Sequence, residues 1–155
     1  MLLVELSRRE FEELDGVGLM MACIEPTVQQ VRGQHPSMKT ERINKLNKAQ
    51  QSLFMFRLLY PARNSEQDYQ LWMNYFLQEP DYWSGINAGL RFFEEAAMIE
   101  VLKETEVALT SSPPEILHAG IFLLFEKFCV AFDDSLHRIS QYIRTHPDKF
   151  IQFLN

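Results

Sequence analysis

The stretch between Pro114 and Pro147 constrains this chain more than any other. Thr110-Ser111-Ser112-Pro113-Pro114 offers hydroxyl caps followed by a proline suited to a first helical turn. A helix is therefore expected from Glu115 to about Thr145, stopping before Pro147. Between Ala119 and Phe132 only Glu126 and Lys127 are polar. A helix that is apolar nearly all round is normally a buried one, so this half is expected to be the core of the fold. Beyond Asp133-Asp134 the apolar face narrows to Leu136, Ile139, Tyr142 and Ile143, and that end is expected to be half exposed.

The rest of the chain reads as shorter helices. Ser7-Arg8-Arg9-Glu10 is a capping box that opens a helix running towards Ile24, with Pro26 kinking or stopping it. Leu46, Ala49, Leu53, Phe56 and Tyr60 recur every three or four residues, which predicts a second helix from Thr40 to Tyr60. Ser65 caps a third through Gln78. A fourth is expected from about Tyr82 to Leu109, with Trp83, Ile86, Leu90, Phe93, Ala97 and Val101 on one stripe. After Pro147, residues 148 to 154 form a short turn or helix that folds Phe150, Ile151, Phe153 and Leu154 back as an apolar clasp. No strand-like alternation of any length is present. The expected architecture is all-α: one domain over residues 1–155, a bundle of four or five principal helices with a long, largely buried C-terminal helix.

A chain of 155 residues with 46% apolar and 23% charged side chains can bury a core without disulfides or a structural metal. Cys23 and Cys129 sit in apolar contexts without metal-type spacing and read as buried free thiols. The start lacks the basic and long apolar regions of a secretory signal, and no run approaches the ~18 apolar residues of a membrane span. A cytoplasmic protein is expected. The formal net charge of -6 makes nucleic acid an improbable general partner. The charge is uneven, however: Lys39, Arg42, Lys45 and Lys48 form a basic stripe that drifts around the second predicted helix.

Motifs with chemistry are incomplete. Glu115-Ile-Leu-His118 has the Glu-x-x-His spacing by which bundle helices hold a metal. The next match, Asp134-Ser-Leu-His137, lies nineteen residues along the same helix, roughly 28 Å away, so the two cannot share an ion. Glu94 falls in the apolar stripe of the fourth predicted helix, where an inward carboxylate needs a partner. Glu94, Glu115 and His118 could then form a carboxylate-histidine site for a divalent metal, although a paired carboxylate and a core histidine explain the same residues. Asp133-Asp134 is half of an Asp-Asp-x-x-Asp magnesium motif whose third aspartate is absent. The glycines form no phosphate loop.

The remaining signal is aromatic and apolar mass. The third predicted helix and its surroundings hold Tyr69, Trp72, Tyr75, Phe76 and Trp83, on more faces than a short peripheral helix needs. Aromatic residues are enriched in interface cores. The function expected is therefore a non-enzymatic interaction or regulatory domain, binding a second copy or another protein and needing no cofactor. The alternatives are a metal-dependent enzyme built on Glu94, Glu115 and His118, and a nucleic-acid-associated factor using the basic helix.

Overall fold

The computed structural model describes residues 3–111 and 114–155, with side chains placed for 3–111 and 120–155. The fold is all-α with a long C-terminal helix, as expected. In chain order it comprises β1 (Val4–Leu6), α1 (Arg8–Glu13), α2 (Gly16–Val31), α3 (Pro36–Asn44), α4 (Lys48–Arg57), α5 (Glu66–Gln78), α6 (Pro80–Phe92), α7 (Ala96–Ser111), α8 (Pro114–Thr145) and β2 (Ile151–Phe153). Short 3-10 turns occupy Tyr60–Arg63 and Pro147–Lys149. Its packing forms two compact units. Residues up to Arg57 with Leu136–Asn155 form a terminal unit, and Leu58–Ser135 forms a central one.

In the terminal unit the first predicted helix is two helices. Ser7 and Glu10 make the capping box of α1, the Ser7 hydroxyl accepting from the Glu10 amide and the Glu10 carboxylate from the Ser7 amide. Asp15 then starts α2 afresh by accepting the Gly18 amide at 2.6 Å. Pro26 does not stop α2. An interior proline costs about 3 kcal/mol in a lone helix, but here it faces solvent, while Leu19, Met20, Cys23, Ile24, Thr27 and Val31 hold the opposite side in the core. Burial pushes the Cys23 thiol up to about 12. Arg144 from α8 donates to the carbonyls of Phe11, at 3.0 Å, and of Leu14, supplying partners where α1 ends.

The expected helix from Thr40 to Tyr60 also divides, at Lys45-Leu46-Asn47. Asn47 accepts the Gln50 amide at 2.8 Å while Gln50 accepts the Asn47 amide at 3.0 Å, a reciprocal cap that opens α4. The Asn47 amide group also donates to the Lys149 carbonyl at 2.9 Å. The C-terminal clasp forms partly as expected. Phe150 and Ile151 are buried, whereas Leu154 is 51% exposed. It ends in a strand that the residue pattern does not announce: β2 pairs in parallel with β1, Val4 opposite Ile151 and Leu6 opposite Phe153.

The central unit is built by α5, α6, α7 and the part of α8 before Leu136. Tyr69, Met73, Phe76, Ile86, Leu90, Met98, Leu102, Phe128 and Phe132 are all essentially inaccessible and form its core. The fourth predicted helix is broken at Glu94, which adopts φ 60°. The Glu94 amide donates to the Arg91 carbonyl at 3.0 Å and the Glu95 amide to the Leu90 carbonyl at 2.9 Å. This pair of bonds is a Schellman motif that ends α6, with Glu94 in the left-handed position glycine usually takes. Burial along α8 is one-sided. Ile121, Leu124, Phe128, Ala131 and Phe132 are buried, but Phe122, Leu123 and Val130 are 48%, 59% and 65% exposed. Between Ile121 and Phe132 the helix is thus not covered on nearly every side.

Two substitutions test these breaks by denaturant unfolding. Asn47→Ala removes a cap and a bond to Lys149 and is expected to cost about 1–3 kcal/mol. Glu94→Gly relieves a left-handed non-glycine residue and is expected to stabilise the chain by up to about 1 kcal/mol. A loss of stability on Glu94→Gly would contradict the assigned role of the backbone there.

Candidate interaction surface

The aromatic residues singled out in α5 and α6 divide between core and surface. Tyr69 and Phe76 are core residues rather than surface ones, at 0% and 1% exposure. Residues on one face of α5 recur at three or four, so Tyr69, Met73 and Phe76 point inward together. Tyr69 is fixed chemically as well as sterically. Its hydroxyl donates to the Thr105 hydroxyl at 2.5 Å, and Thr105 donates onward to the Val101 carbonyl at 2.8 Å. Burial pushes the Tyr69 phenol above its ordinary range, and the Thr105 contact works in the opposite direction. Its ring also packs on Phe128, with centroids 4.8 Å apart.

Trp72, Tyr75 and Trp83 remain accessible in part. Tyr75 is 44% exposed beside Leu71 at 65%, and Trp72 and Trp83 are half-buried. Tyr75 meets Trp72 and Tyr82 with ring centroids 6.0 Å apart in each case. The Trp83 indole donates to Glu106 at 3.3 Å, which spends its polar edge within the unit.

The basic segment is not one helical stripe. Lys39 and Arg42 lie in α3, Lys45 at its C-cap, and Lys48 begins α4. Arg42 donates to Gln34 at 3.1 Å, and Lys45 pairs with Glu41 at 3.6 Å. The residues of the metal reading fare as follows. Glu94 does not project into an apolar stripe; it is exposed in the α6–α7 break, and it is Glu95 that is buried, at 1%. The side chains of Glu115 and His118 lie outside the described residues. Among the described residues no group of three or more His, Cys, Asp and Glu side chains could hold a metal ion. None of the described helices is long and apolar enough to cross a membrane. Cys23 is buried, as expected of it, but Cys129 is half-exposed.

The feature that sequence reasoning missed lies where α7 meets α8. An open groove of about 450 Å³ runs between them, lined by Ala97 and Val101 from α7 and by Glu126, Lys127, Val130, Ala131 and Asp134 from α8. Exposed Leu123 lies on the same face of α8 two turns before Val130, with Glu126 and Lys127 between them, and Val107 is exposed on α7 at 62%. Lys127 reaches across to Glu104 at 3.2 Å. Seven of the nine exposed large apolar side chains among the described residues belong to the central unit. The signal was available in the run from Ala119 to Phe132. Apolar residues all round a helix require cover on all sides, and that cover need not come from the same chain.

The sequence matches no protein-family model, no curated protein and no solved structure.

The division between core and surface aromatics is measurable. Tyr69→Phe deletes one buried hydrogen bond and is expected to lower stability by about 1 kcal/mol. Leu71→Ala, on the open side of the same helix, is expected to change it by less than about 0.5 kcal/mol. Equal effects in denaturant unfolding would refute the assignment of faces on α5.

Proposed function

We propose that this chain is a protein-interaction domain that acts through the α7–α8 face of its central unit, with docking rather than catalysis as its output. One observation carries the reading: Val130, 65% exposed, lines an open groove, and Leu123, 59% exposed, recurs two turns earlier on the same face of a long helix. Isolated exposed apolar side chains are ordinary, but apolar side chains recurring on one helix face beside a groove and interspersed with charge mark a binding surface. The strip is also rigidly presented. Phe128 and Phe132 on the reverse side of α8 are fully buried, so the outward residues cannot collapse inward. Free Cys23 and Cys129 suit a reducing, cytoplasmic setting for this interaction.

A photo-crosslinking amino acid placed at Val130 in the full chain, expressed in its native cells, tests the proposal. A discrete covalent product is expected from Val130 and none from Gln67, which is exposed on α5. Leu123→Asp should remove the product while leaving the far-ultraviolet circular dichroism unchanged. Equal labelling from Val130 and Gln67 would sink the proposal.

A further inference from the structure

The rim of the α7–α8 groove is acidic. Glu126 and Asp134 line it on α8, and both are exposed. On α7, Glu104 approaches Lys127, and exposed Glu100 lies one turn before Glu104 and three residues after Ala97, on the same helical face. Among the described residues lining the groove the one cation is Lys127, which pairs with Glu104 at 3.2 Å. Glu100, Glu126 and Asp134 therefore leave a net negative rim around an apolar floor. Arg138, the next cation along α8, comes one turn beyond Asp134 and past the groove lining.

Floor shape adds a second constraint. Ala97 and Ala131 are the smallest side chains in the lining, and they let a third helix approach the α7–α8 pair closely. From Leu123 to Asp134 the strip spans roughly 16 Å of helix. That length accommodates about three turns of a partner helix, whose apolar anchors would recur at i, i+3 or i+4, and i+7. Cationic side chains flanking such a stripe would meet Glu126 and Asp134 on one wall and Glu100 on the other.

We propose that the occupant of this groove is an amphipathic helix of a partner protein, carrying an apolar stripe flanked by lysine or arginine. The inference rests on the docking role assigned to this face and adds the chemistry of what docks. A second copy of the chain is a poorer match by charge. Its own α8 would present the same Glu126 and Asp134, and its basic α3 offers a single large exposed apolar side chain, Met38.

The probes are three 18-residue peptides used with the full chain in calorimetric titrations. One has a leucine stripe flanked by lysines, one has the same stripe flanked by glutamates, and one scrambles the lysine peptide. The lysine-flanked peptide is expected to bind at least about tenfold more tightly than either control, with affinity falling as salt rises. Glu126→Lys with Asp134→Lys should weaken it by about tenfold and bring the glutamate-flanked peptide to comparable affinity. Val130→Asp should abolish binding of both stripe-bearing peptides, with circular dichroism confirming an intact fold. Equal binding of the glutamate-flanked peptide to the unaltered chain, equal binding of the scrambled peptide, or no binding of the lysine-flanked peptide would each overturn the inference. So would concentration-dependent self-association in light scattering that Glu126→Lys with Asp134→Lys disrupts, because a second copy would then be the occupant. The docking role fails on a different result: a Val130 crosslink to another protein sustains it even where the lysine-flanked peptide does not bind.

Discussion

An α-helix is buried only where another element lies against it, while its side chains come round every 3.6 residues whatever their polarity. The central unit depends on how α8 meets that constraint. Ile121, Leu124, Phe128, Ala131 and Phe132 take the covered side, and the Tyr69 ring of α5 packs on Phe128. Tyr69 also bonds Thr105 of α7, so one phenol joins α5 to α7 by a hydrogen bond and to α8 by ring packing. On a further side, Arg63 grips Asp133 through two hydrogen bonds of 2.8 and 2.9 Å. With these contacts made, no element among the described residues remains to cover Leu123 and Val130. The exposed strip follows from the number of helices available.

The helix breaks show a different balance. Continuing a helix adds one hydrogen bond per residue, so a break persists only where the lost bonds are replaced. At Leu14-Asp15 the replacements come from Asp15 and Arg144, at Asn47 from the reciprocal bonds with Gln50, and at Glu94 from the two bonds of the Schellman turn. Each break also redirects the apolar face. Leu46, within the break, and Ala49, in α4, are both buried, which is why they mimic one continuous stripe.

Much of the fold was legible for physical reasons. Ser65 and Gln78 bound α5 as expected, because a hydroxyl cap and a following proline act locally. Proline also marked the bounds of α8, which begins at Pro114 and ends before Pro147. The internal breaks were less visible. Glu94 stands where glycine would have signalled a turn, and Asn47-Lys48-Ala49-Gln50 caps a helix inside an unbroken apolar period. Pro26 misled in the other direction, since tertiary burial of the opposite face outweighs its local cost. The parallel pairing of β1 with β2 depends on contacts between chain ends, which local periodicity cannot encode. The candidate surface was half legible. Excess apolar mass pointed to an interface, but composition could not say that Tyr69 and Phe76 turn inward while Leu123 and Val130 turn outward.

In the proposed docking role, Glu126 and Lys127 would give the α8 face its selectivity. They are the only polar residues between Ala119 and Phe132, and both are exposed. Without them Leu123 and Val130 would belong to one unbroken apolar face, and such a face accepts almost any apolar surface, including aggregates of its own chain. With them, the proposed partner would have to cover apolar groups and meet charge in the same few turns. Lys127 lines the groove and its ammonium pairs with Glu104 at 3.2 Å, which offsets part of its charge toward an acidic partner. An acidic helix would face Glu126 and Asp134 with little to offset the repulsion, whereas a basic one would find both carboxylates open. In that proposed docking, the apolar floor would supply the gain on binding, and the rim would decide which helices collect it.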